Sequence, residues 1–167
     1  LDNLPWKEND VLTDMNSDVT LIFNDGHWRM SGNVTNLGLS VKSAYAVNVQ
    51  DDIVFPISGA IIEQEDTRTI QVYQGWNGIG YTPMMNLALE TALADYYDKA
   101  SDGDVIKSHT EFAVFQSSNG VGRWKGDLKY MKPGEGYMLL RKKSGKASFI
   151  YPFYEPGSRF LDETANA

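Results

Sequence analysis

Four short landmarks of this chain occur twice and in the same order, and no other feature constrains its fold as much. Asp10-Val11-Leu12 returns as Asp104-Val105-Ile106, an offset of 94 residues. Gly26-His27-Trp28 returns as Gly122-Arg123-Trp124 at 96, and Gly32-Asn33-Val34 as Gly126-Asp127-Leu128 at 94. Ala44-Tyr45-Ala46-Val47 returns as Gly136-Tyr137-Met138-Leu139 at 92. Single matches arise by chance, but ordered matches with slowly drifting offsets are what small loop insertions leave between two copies of one unit. On this reading residues 1–66 are a first, partial or diverged copy and 67–154 a second, complete one. Residues 155–167 form a polar tail or linker. The boundary falls in the polar stretch 62–67, between two apolar runs.

The second copy opens with Thr69-Ile70-Gln71-Val72-Tyr73-Gln74-Gly75-Trp76-Asn77-Gly78-Ile79-Gly80-Tyr81. Alternation with period two places Ile70, Val72 and Trp76 on one face of a strand, with Asn77-Gly78 marking a bend or bulge. A helix is predicted over 86–97, with Asn86 as N-cap. Met85, Leu89, Ala92, Leu93 and Tyr96 form its buried stripe, and Glu90, Asp95 and Asp98 face water. Short strands are predicted at 111–116, 122–125, 136–141 and 147–151, and in the first copy at 19–24, 28–31, 44–49 and 53–57. Pro133-Gly134 supplies a turn that the first copy lacks. The fold class is therefore mainly β with one principal helix (α+β). Two related strand-rich copies form antiparallel sheets or a sandwich with the helix laid on one side.

Composition narrows the function. The formal net charge is −7 and no basic stripe interrupts the sequence, which argues against a nucleic-acid partner. Cysteine is absent, so disulfides, thiolate metal sites and a cysteine nucleophile are excluded. No apolar run approaches the length of a membrane-spanning helix, so direct membrane insertion is not expected. The first residues lack the basic and apolar regions of a signal peptide, and a start at Leu1 reads as a mature form or a piece of a longer chain.

Catalytic signatures are sparse. His27 and His109 sit at non-corresponding positions and read as surface or turn side chains. No serine elbow or phosphate-binding glycine loop is present. The acidic clusters Asp51-Asp52, Glu63/Glu65/Asp66 and Asp102/Asp104 sit beside turn residues, where acids face solvent. Asp102-Gly103-Asp104 lacks the full ligand pattern of a calcium loop. No catalytic residue, metal site or cofactor is assigned. The tryptophans remain as candidate ligand contacts, because exposed aromatic faces stack on sugar rings. Trp28 with Asn24 and Asp25, Trp124 with Asn119, and Trp6 outside the repeat are the candidates. Against this, Trp28 and Trp124 occupy matching positions, as two equivalent core residues would. Trp76 reads as core.

The runs Gly75-Trp76-Asn77-x-Ile79-Gly80-Tyr81, Asp102-Gly103-Asp104-Val105-Ile106-Lys107-Ser108, Trp124-x-Gly126-x-Leu128 and Lys132-Pro133-Gly134-Glu135-Gly136-Tyr137-Met138 resemble a repeat module of exported, cell-surface Bacteroidetes proteins. The likeness covers 69–152, and the first copy shares only the weaker landmarks. The resemblance implies a secreted or cell-surface bacterial setting within a larger multidomain chain, and no catalytic residues. A glycan or a surface protein is then the expected partner of a non-catalytic binding module. The alternatives are a structural spacer that positions neighbouring domains and, third, a carboxylate-based glycan hydrolase.

Overall fold

The computed structural model describes residues 5–17, 19–31, 38–52, 54 and 68–153. The chain is mainly β, arranged as antiparallel sheets. Strands β1 (Val11–Asp14), β2 (Thr20–Asn24), β3 (His27–Ser31) and β4 (Tyr45–Asn48) form a four-stranded sheet in the order β3-β2-β1-β4. β5 (Thr69–Gly80) follows, then β6 (Leu87–Ala88), helix α1 (Leu89–Ala92) and a 3-10 helix (Ala94–Lys99). The remaining strands are β7 (Val105–Lys107), β8 (Phe112–Ser118), β9 (Val121–Gly126), β10 (Tyr130–Met131) and β11 (Gly136–Ile150). They build a five-stranded sheet, β5-β11-β7-β8-β9, and a small β10-β6 ribbon. Of the predicted strand at 53–57 only Val54 is among the described residues, and it is in no strand and exposed.

Several local devices occur in both sheets. The buried carboxylate of Asp10 accepts the backbone N–H groups of Lys7 (2.8 Å) and Gln50 (3.0 Å). That of Asp104 accepts those of Ser101 (3.1 Å) and Lys142 (2.7 Å), and also the Tyr96 hydroxyl (2.8 Å). Each acid ties a turn to the strand beside it, which is why an ionisable side chain is kept in the interior. Two-residue loops close both hairpins: Asp25-Gly26 has φ of 53° and 75°, and Asn119-Gly120 has φ of 53° and 79°. Positive φ at both positions is the type I′ requirement, met by Asx-Gly pairs. Phe23 faces Trp28 across one hairpin and Phe115 faces Trp124 across the other. Beyond its Phe–Trp pair the second hairpin runs two residue pairs further before its turn, so Phe115 follows Phe23 by 92 residues and Trp124 follows Trp28 by 96. The hydroxyls of Tyr45 and Tyr137 each accept a backbone N–H from five residues upstream, both at 2.8 Å.

The predicted helix over 86–97 takes a different form. Leu87 and Ala88 pair with β10, α1 is a single turn, and a 3-10 segment completes the crossover. Ala88 rather than Asn86 caps α1, and it offers no side-chain acceptor. The apolar stripe is nevertheless buried: Leu89, Ala92, Leu93 and Tyr96 lie within the main core with Ile70, Val72, Ile106, Leu139 and Phe149. Burial, not helical periodicity, was what that spacing encoded. Glu90 does not face water. Its carboxylate accepts the Trp124 backbone N–H at 3.0 Å and the Tyr97 hydroxyl, covering the open edge of β9. The two predicted strands at 136–141 and 147–151 are one long strand, β11.

The four-stranded sheet meets the five-stranded one through glycines. A Cβ on Gly80 would lie 2.1 Å from the Val41 carbonyl oxygen, one on Gly78 2.6 Å from Met15 Cβ, and one on Gly136 2.8 Å from Ala44 Cβ. Gly136 and Gly80 are register partners, so the three form a flat patch onto which 41–44 lies. There the Gly80 N–H donates to Lys42 O (2.9 Å), and the Asn16 amide exchanges two 2.6 Å bonds with the Gly78 backbone.

Two outcomes follow from this packing. Gly80→Ala forces the 41–44 backbone away and should cost about 1–3 kcal/mol, read as a lower urea midpoint. Burial, reinforced by hydrogen bonds to Asp104 and Glu135, raises the phenols of Tyr96 and Tyr137, and burial raises that of Tyr151; burial and then the hydrogen bond to Glu90 push Tyr97 up to about 12. Folded values above unfolded ones mean that this contribution to stability is whole below about pH 10 and is lost as the pH rises toward the folded values. Phenolate absorbance from these tyrosines should therefore appear together with loss of near-ultraviolet circular dichroism, not before it.

Candidate functional site

A concave surface lined by exposed aromatic side chains is created by an irregularity in β5. Its first half turns Ile70 and Val72 inward and Gln71 and Tyr73 outward; its second half turns Asn77 and Ile79 inward and Trp76 outward. The change of parity occurs at Gln74-Gly75, opposite which β11 inserts residues 142–145. A bulge of this kind reverses which residues face the core. Gly75 adopts φ of 99°, a conformation favoured by glycine alone.

Buried Asn77 holds the irregularity. Its Oδ1 accepts the Tyr73 N–H (2.8 Å), and its Nδ2 donates to the carbonyls of Tyr73 (2.8 Å), Gly75 (2.9 Å) and Leu139 (3.2 Å). On the opposite strand the buried Arg141 guanidinium donates to the carbonyls of Lys143, Ser144 (3.2 Å) and Gly145 (3.2 Å). Ladder groups freed by the bulge are thus satisfied by side chains.

The outcome is a groove of about 730 Å³ between β5 and the first sheet's loops, floored by Trp76, Tyr73 and Gln71 and walled by Asn16, Lys42 and Ser43. Trp76 is 48% exposed and Tyr73 55%. The Lys107 ammonium lies 4.9 Å from the centre of the Trp76 ring, a cation–π contact that leaves the rest of the indole open. Tyr73 Oη and Gln71 Oε1 are 3.3 Å apart. The arrangement offers two aromatic faces on one strand, with amide, hydroxyl and ammonium groups around them. Its described lining contains no Asp, Glu or His.

This differs from the sites expected from the sequence. Trp76, expected in the core, is an exposed ring, because the bulge lies at Gln74-Gly75, ahead of it, and not at Asn77-Gly78. Trp6, expected outside, is only 8% exposed and packs edge-on against Trp28 at 4.8 Å. Trp124, at 7%, lies between Phe115 and Tyr96 in the main core. Trp28 is half-buried against Trp6 and Phe23. Asp25 and Asn119 are the positive-φ residues of the two hairpin turns, chosen for backbone conformation. Asn24, one residue earlier, lies beside the Phe23 carbonyl and Glu8. None of these six lines the groove.

The acidic clusters do not converge either. Asp104 spends both carboxylate oxygens on protein donors, and Asp102 accepts the Ser117 N–H at 2.5 Å. Glu63, Glu65 and Asp66 lie outside the described residues. Among the described residues no group of three or more His, Cys, Asp or Glu side chains could hold a metal, and no helix is long and apolar enough to cross a membrane. A scan against protein-family models finds no matching family, and searches of curated proteins and of solved structures find no match.

Collisional quenching tests the placement of the indoles. In the native protein acrylamide should quench chiefly Trp76, with a smaller response from half-buried Trp28. Trp76→Phe should remove most of the accessible emission while leaving the blue-shifted emission of Trp6 and Trp124.

Proposed function

We propose that this chain is a non-catalytic, glycan-binding module of an exported or cell-surface bacterial protein. One observation carries the glycan reading: Trp76 and Tyr73 stand exposed on one strand face and floor a groove edged by Gln71, Asn16, Ser43 and Lys42. Amphipathic sugar rings have apolar faces that stack on such aromatics and equatorial hydroxyls that bond to such amides. The bulge also fixes both rings before any ligand arrives, which lowers the ordering cost of binding. Export and the surface location rest on the motif likeness over 69–152 alone.

The architecture we infer is a tandem of two related units. Its support is the common strand order, β3-β2-β1-β4 beside β9-β8-β7-β11, together with the paired aspartates, turns and Phe–Trp contacts. A spacer role has its own support in the glycine patch, which seats one sheet closely on the other and suits a rigid connector. The groove favours binding.

A panel of soluble polysaccharides followed by tryptophan fluorescence tests the reading. A binding glycan should shift Trp76 emission and protect it from acrylamide, and Trp76→Ala should weaken binding by about tenfold or more, some 1.4 kcal/mol. Binding that survives Trp76→Ala unchanged would place the ligand elsewhere. No response to any glycan would leave the spacer.

A further inference from the structure

Resting on the glycan reading, we infer that the ligand is an anionic polysaccharide, one whose sugar rings carry carboxylate or sulfate groups. The chain as a whole is acidic, with 22 Asp and Glu against 15 Lys and Arg. The five-stranded sheet is the reverse. None of the residues of β5, β7, β8, β9 or β11 is Asp or Glu, while Lys107, Arg123, Lys125, Arg141, Lys142, Lys143 and Lys146 all belong to it. Acids are therefore segregated away from the one sheet that carries the groove.

Strand alternation decides where those cations point. Arg141 is turned inward and spent on the bulge carbonyls. Lys107, Arg123, Lys125 and Lys146 are exposed, and their strand neighbours Ile106, Trp124 and Ala147 face the core side. The outer face thus presents aromatic rings, Trp76, Tyr73 and the half-exposed Phe112, interleaved with ammonium and guanidinium groups. Lys107 is central. It pairs with Met138 on one side and Phe112 on the other, and its ammonium hangs over Trp76. Among the described residues none of Lys107, Arg123, Lys125 or Lys146 forms an ion pair. Asp127, just past the end of β9, is engaged by the Phe112 N–H at 2.8 Å. A ring stacked on Trp76 would bring its charged substituent beside Lys107, so stacking and charge pairing act on one sugar unit.

A neutral glycan needs the rings but not this charge pattern. A bare polyanion needs the charge but not the rings. The intact chain can therefore be titrated with four probes: polygalacturonate, chondroitin sulfate, dextran and polyglutamate. Polygalacturonate or chondroitin sulfate should bind with a shift in Trp76 emission; binding of polygalacturonate shows that ring carboxylates suffice, and binding of chondroitin sulfate alone shows that they do not. Binding should weaken as salt rises. Lys107→Gln should weaken it about fivefold, and Lys107→Arg should restore most of the loss. Unchanged thermal melting of both variants would show that the sheet is intact. Equal binding of dextran, with no effect of Lys107→Gln, would overturn the inference and leave a neutral-glycan module. Equal binding of polyglutamate would overturn it in favour of charge alone. Failure of every glycan would remove both this inference and the glycan reading beneath it.

Discussion

Asn77 is a buried amide whose side chain bonds to strand backbone, and the surface chemistry of the molecule depends on it. Through its bonds to Tyr73, Gly75 and Leu139 it stabilises a break in strand parity at Gln74-Gly75. Before the break, even-numbered residues of β5 face the core; after it, odd-numbered ones do. This single irregularity puts Ile79 in the interior, Trp76 in solvent, and Gly78 and Gly80 against the first sheet. Without it, the same sequence in a regular strand would bury Trp76 and turn Ile79 out. An unpaired polar group in such a setting costs about 1–3 kcal/mol, so the bulge is tenable only because Asn77 and Arg141 answer the backbone groups it frees.

The same strand therefore serves two purposes through neighbouring residues. Its glycines allow backbone-to-backbone approach, and the loop 41–44 and Asn16 come to lie along its edge. Its aromatics remain outside that contact and become the floor of the groove which the contact walls off. Docking of the sheets and formation of the groove are one event in packing terms. A side chain at Gly80 would disturb the seat of Lys42 and Ser43 as well as the sheet contact.

Charge follows the same division. The carboxylates of greatest structural consequence, Asp10, Asp104 and Glu90, are turned onto backbone N–H groups at turns and at the β9 edge. They stabilise loops and crossover without appearing on the strands of the large sheet. That sheet is left with lysines and arginines on its solvent face, set among exposed rings, on a protein that is acidic overall.

Much of this was legible in the chain itself. The recurring Asp, Trp and Tyr landmarks marked positions with matching roles: a carboxylate at a turn, an indole against a phenylalanine, a hydroxyl accepting an N–H. The recurring glycine did not, since Gly26 is a turn residue and Gly122 lies within β9 against the Phe115 ring. The mainly β character followed from short alternating runs, and the buried stripe from Leu89 to Tyr96 was read correctly even though its backbone is not one helix. Local pattern carries those signals because burial and turn conformation are local demands. Which tryptophan meets solvent was not local. Trp76 shares even numbering with Ile70 and Val72, and only the pairing of Gly75 with Arg141 across residues 142–145 reverses its side. Trp6 is buried because Trp28, distant in sequence, covers it. The sequence determined the strands and turns; tertiary pairing decided which acids are buried and which face is exposed, because a carboxylate's N–H donors come from neighbouring segments and the parity of a strand past a bulge depends on the register of its partner.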